Sequence, residues 1–131
     1  MEVRTIDNWL KTGDVVCVNY HNFNGEKATG IFLVIYSERF DRVYTNGHTN
    51  INCVKITTNN FQGNSYAVLL RKGNANLDKD CLANLSKVFT FRKEQVFKKL
   101  GTLDGRTMLN IFKELRAFNQ EVENQVLEIT C

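Results

Sequence analysis

Lys98-Lys99-Leu100-Gly101-Thr102-Leu103-Asp104 divides the chain into two periodicities. Upstream, apolar residues form short β-branched runs or alternate with polar ones. Downstream, Met108, Ile111, Phe112, Leu115, Phe118 and Val122 recur at helical spacing behind Asp104, a residue type that caps helix N-termini. Consecutive strands followed by a terminal helix predict a mainly β (α+β) fold, a small curved antiparallel sheet or barrel with helices at one end.

Working back from that boundary, Val15-Val16-Cys17-Val18-Asn19-Tyr20 and Ile31-Phe32-Leu33-Val34-Ile35-Tyr36 read as strands. The polar stretch from His21 to Lys27 carries the Asn24-Gly25 turn signal, so the two form a hairpin with a long loop. A polar segment from Ser37 to Asn50 follows. Ile51 to Thr57 then alternates with period two, as a strand with one buried face does, and ends in the loop Thr57-Thr58-Asn59-Asn60. Ser65 to Arg71 and Cys81 to Phe91 complete five or six strands. Phe91 to Leu100 predicts a short helix with a basic surface, terminated by Gly101, and Thr5 to Lys11 predicts another that places Trp9 and Leu10 on the core.

At 131 residues the chain is long enough for one self-sufficient core, so a single domain over 1–131 is expected. No run approaches the roughly 20 apolar residues of a membrane helix. The N-terminus lacks the basic and apolar regions of a signal peptide, which points to the cytoplasm. Cys17, Cys53, Cys81 and Cys131 show no CxxC spacing, and His21 and His48 sit in no HExxH pattern, so no metal or cofactor is expected. Cys17 and Cys53, inside apolar alternations, read as reduced, structural thiols; Cys131, terminal, is the one open to reaction. The net charge of +3 does not by itself announce a nucleic-acid partner. Its distribution is uneven: Lys87 to Leu100 carries five basic residues and one acidic, Glu114 to Glu128 four acidic and one basic.

Gly13-Asp14-Val15-Val16, Glu26-Lys27-Ala28-Thr29-Gly30 running into Phe32 to Ser37, Ile56-Thr57, Leu77 to Cys81, Asn84 to Phe91, and Lys98 to Asp104 together resemble the PemK/MazF family of toxin endoribonucleases. The resemblance spans Gly13 to about Phe118 and implies an SH3-like small barrel with a C-terminal helix. It also implies a symmetric homodimer, an acidic antitoxin as partner, and metal-independent, sequence-specific cleavage of single-stranded RNA. It places Thr57 at the family's active-site hydroxyl. The groove it implies draws Asn24, Glu26 and Lys27 from the first hairpin loop and Lys55 and Thr58 from the Thr57 loop. The family's Arg-Pro falls on Ile31-Phe32.

Such cleavage has the ribose 2′-hydroxyl attack its own phosphate, and it needs a proton acceptor, a proton donor to the leaving 5′-oxygen and a cation on the developing phosphorane. Isoleucine supplies none of these. His21, in the hairpin loop, is the candidate substitute acid or base. Two functions follow as expectations: a weakly active endoribonuclease, or a catalytically inactive module of a phage or mobile element that binds a nucleic-acid enzyme or host protein.

Overall fold

The computed structural model describes residues 10–36, 50–58 and 66–130. Six strands, β1 (Asp14–His21), β2 (Lys27–Tyr36), β3 (Asn50–Thr57), β4 (Ala67–Leu70), β5 (Cys81–Arg92) and β6 (Val96–Thr102), precede one long helix, α1 (Gly105–Thr130). The strands form one antiparallel sheet in the order β4-β5-β3-β2-β1-β6. The sheet is curved but open, with β4 and β6 as its edges.

Strand alternation sends apolar side chains to both faces. Val15, Leu33, Ile35, Val54, Ile56, Val68, Leu70, Ala83 and Leu85 join Met108 and Ile111 of α1 in one buried cluster. Val16, Val18, Phe32, Val34, Ile51, Cys53 and Phe91 form a second on the opposite face, with Leu10. Each fully buried Leu, Ile or Phe among them contributes about 1.5–3 kcal/mol, so the two clusters dominate the fold's stability.

The helix begins where the sequence places it. The Thr107 N–H donates to the Asp104 carboxylate at 2.8 Å, satisfying one of the N–H groups a helix start leaves open. That bond is the first cause holding the Asp104 carboxyl below its usual range. Phe112 and Leu115 pack on the first cluster, and Phe118 meets Tyr66 edge-on at 5.2 Å. Val122, expected on the same stripe, is instead 42% exposed, in a stretch of α1 from Asn119 to Ile129 that is exposed throughout.

The helix expected from Phe91 to Leu100 is not formed. β5 runs to Arg92, a 3-10 turn covers Lys93–Gln95, and β6 follows. β1 has an edge that this segment fills: Val96 pairs with Val18, Lys98 with Cys17 and Lys99 with Val16, and unpaired backbone groups there would be costly. Gly101 therefore lies inside β6 and serves close packing; a Cβ on it would stand 2.9 Å from the backbone of Ala75. Asp14, fully buried, ties β1 to β6: its carboxylate accepts from Lys11 N–H and Thr102 Oγ1, each at 2.8 Å, with Lys99 Nζ 3.3 Å away. The expected Thr5–Lys11 helix, with Trp9, the Ser37–Asn50 segment up to residue 49, and Cys131 lie outside the described residues; Leu10 is buried in the second cluster.

Candidate functional site

Unequal ladder lengths create a ledge. The β2–β3 ladder reaches its last rung, toward the β1–β2 turn, at Ile31–Ile56. The β1–β2 ladder continues through Val18–Gly30, Asn19–Thr29, Tyr20–Ala28 and His21–Lys27. The hairpin thus projects beyond β3, with Thr57 and the exposed Thr58 at its foot.

The tip is built by Asn22. Its carboxamide oxygen accepts from the N–H groups of Asn24 and Glu26, both at 3.0 Å, an Asx arrangement that stands in for backbone pairing. Gly25, at φ +81°, closes the turn by donating to Asn22 O at 2.8 Å. Asn24 and Glu26 are exposed here.

Partners on a rung share a face, so the ledge has two different sides. One carries Asn19, Thr29, His21 and Lys27, continuing the line of Cys17 and Ile31. The other carries Tyr20, whose ring meets Phe32 edge-on at 5.5 Å and Phe91 at 5.9 Å. Lys55, paired with Phe32 across β2–β3, lies on this second side and donates from Nζ to Tyr20 Oη at 3.3 Å. By alternation Thr57 follows Lys55 onto that side. Six of the predicted residues therefore fall into three groups, His21 with Lys27, Lys55 with Thr57, and Asn24 with Glu26 at the tip, and Thr58 stands exposed just past the end of β3. Ile31 is on the side of the first group and Thr57 on that of the second.

A cavity of about 630 Å³ lies against the ledge, lined by Asn19, Tyr20, His21, Lys27, Ala28, Thr29 and Gln95. Gln95 ends the 3-10 turn before β6. Its Nε2 donates to Asn19 O at 3.0 Å, and its Oε1 accepts from Arg92 N–H at 2.9 Å. Asn19, Thr29 and Gln95 were not anticipated. The first two were legible, since polar residues at 19, 21, 27 and 29 share a period of two on either side of the Asn-Gly turn. Gln95 depends on β6, which the sequence reads as helix.

Chemically the ledge offers two ammonium groups, an imidazole and hydroxyls, and its apolar position 31 offers no charge. Among the described residues no group of three or more His, Cys, Asp and Glu is placed to hold a metal ion. No helix among them is long and apolar enough to cross a membrane. Cys53 is buried in the second cluster, and burial pushes its thiol up to about 12, so it takes no part in nucleophilic chemistry.

A family model described as PemK-like, MazF-like toxin of type II toxin-antitoxin system matches residues 11–118. No curated protein sequence is similar enough to count as a relative. Among solved structures, an endoribonuclease in complex with its cognate antitoxin from Mycobacterial species superposes with a TM-score of 0.64 at 16% identity, over 85% of this chain and 95% of that one. A MazE-MazF structure (Form-II) from Deinococcus radiodurans gives 0.61 at 13% identity, over 85% and 96%. At these identities the likeness to solved structures is one of fold.

Proposed function

Because the chain belongs to the PemK-like, MazF-like toxin family, we propose that it is the toxin of a type II toxin-antitoxin pair and cleaves single-stranded RNA, slowly and without a metal, on the β1–β2 ledge. The observation that carries this reading is the ledge: the family's hydroxyl position, Thr57, stands at the foot of a hairpin that carries Lys27 and His21 and is braced by Lys55 through Tyr20.

In this reading RNA lies along the ledge with its phosphates against Lys27 and Lys55. His21 takes up the proton of the 2′-hydroxyl, and water donates one to the leaving 5′-oxygen. Thr57, at the foot on the other side of the ledge, gives one hydrogen bond to an adjacent phosphate, and Asn24, Glu26 and Thr58 contact flanking nucleotides. The bond from phosphorus to the 5′-oxygen breaks as the 2′-oxygen bonds to phosphorus, leaving a 2′,3′-cyclic phosphate and a 5′-hydroxyl. With Ile31 where the family has its cation, the phosphorane lacks one preorganised charge, a loss on the order of 10²–10³ in rate.

The protein works as a homodimer and is restrained by an acidic antitoxin. The antitoxin complexes among its fold neighbours support this partner. Sedimentation at micromolar concentration should give about twice 15.1 kDa. Incubation with long single-stranded RNA in EDTA should release fragments with 5′-hydroxyl ends.

The aliphatic rung at Ile31 favours one second reading, a non-catalytic module that kept the fold and binds a protein. Absence of cleavage by the wild type and by a folded Ile31→Arg variant, together with tight binding to a protein partner, would establish it.

A further inference from the structure

The cavity beside the ledge has the attributes of a nucleotide pocket. Its volume, about 630 Å³, falls within the range of about 300–1,000 Å³ typical of small-ligand sites. Its lining includes an ammonium, an imidazole, two carboxamides, a hydroxyl and a phenol, and no carboxylate, so an anionic group meets no repulsion at the wall.

Gln95 is the distinctive wall residue. A carboxamide has two donor hydrogens and two acceptor lone pairs. One of each is engaged, by Asn19 O at 3.0 Å and Arg92 N–H at 2.9 Å. These two bonds fix which atom is nitrogen and which oxygen, and they leave one N–H and one lone pair on the same rigid group. A paired donor and acceptor is the pattern by which Gln and Asn recognise a base edge. Tyr20, held against Phe32 and Phe91 on the other side of the hairpin, completes the wall with a fixed side chain.

We propose that this cavity receives one nucleotide of single-stranded RNA, with Gln95 as the base-reading residue and Lys27 as the phosphate contact. The proposal deepens the reading above and rests on its RNA-directed part, but not on catalysis. It makes Gln95, 76 residues beyond its partner Asn19, a determinant of sequence preference.

The test uses fluorescent hexamers made uncleavable by 2′-O-methylation, with one position at a time varied through the four bases and affinity read by anisotropy. The wild type should prefer one base at one position by about tenfold. Gln95→Leu should reduce that preference to within about threefold, bringing the affinity for the preferred hexamer down toward that of the others. Lys27→Ala should weaken every hexamer alike and lower the salt slope by about one. Because Gln95 also holds its turn, Thr29→Val, an isosteric change on an exposed strand position, is measured alongside, and it too should reduce the preference. A wild type without base preference, or a preference retained in both folded variants, overturns the proposal. RNA cleavage is scored separately: cleavage with an unmoved preference removes the pocket and keeps the endoribonuclease, and a moved preference without cleavage does the reverse.

Discussion

Ile31 stands directly opposite Ile56 on the last rung that β2 and β3 share at the ledge, with Cys17 completing the rung on β1. The position at which the family carries its cation is thus part of an aliphatic row packed on the first cluster. Ile31→Arg should lower stability by about 1–2 kcal/mol, since a half-buried apolar contact is lost while the guanidinium can reach water past Thr29. Urea denaturation measures this; an unchanged midpoint would show that the rung bears no load.

Lys55 connects the second side of the ledge to the hairpin through Tyr20. Lys55→Met keeps the aliphatic stem and removes the charge. Stability should change by less than about 1.5 kcal/mol, the worth of one ordinary hydrogen bond. RNA affinity should fall, with the salt slope smaller by about one. An unchanged slope would place Lys55 outside the RNA contact.

Asp14 accepts from Lys11, Thr102 and Lys99 in full burial. Asp14→Ala leaves these donors without their acceptor and separates β1 from β6. The expected loss is about 2–4 kcal/mol, mostly from the Lys11 N–H and Thr102 hydroxyl, since the Lys99 ammonium reaches water, and it is readable as a drop in the urea midpoint. A loss under 1 kcal/mol would mean that the carboxylate is not what joins the two strands.

Cys53 carries a thiol whose pKa burial raises from 9.0 to about 12. A raised folded value means that its contribution is intact below the unfolded value, near pH 9, and is lost as pH rises toward 12. The slope is about 1.4 kcal/mol per pH unit. Between pH 8 and pH 10.5 the wild type should therefore lose about 2 kcal/mol more than Cys53→Ala. Native protein should also resist alkylation at Cys53 at pH 8 until it is unfolded.

Local patterns carried much of the fold. The Asn24-Gly25 turn and the Asp104 cap each act within a few residues, and each has its expected structural counterpart; β3 forms where alternation places it but buries both faces instead of one, Ile51 and Cys53 in the second cluster and Val54 and Ile56 in the first. β6 was illegible because its cause is remote: the open edge of β1, some 80 residues earlier, recruits a segment whose own residues tolerate a helix. The site was legible in part. Which hairpin residues share a face follows from period two, and His21 with Lys27 is such a pair. That Ile31 and Thr57 lie on opposite sides depends on the register of β2 with β3, set across the intervening segment and not written in either strand.

The central claim is that this family member cleaves RNA slowly because position 31 carries no charge. The most direct measurement is the initial rate of single-stranded RNA cleavage in EDTA by the wild type, Ile31→Arg, and Ile31→Arg with Thr57→Ala, each first shown to be folded by melting. The account predicts a slow wild-type rate unaffected by EDTA, a rise of about 10²-fold in Ile31→Arg, and a fall when Thr57 is then removed. Rapid wild-type cleavage, or cleavage abolished by EDTA, would contradict it.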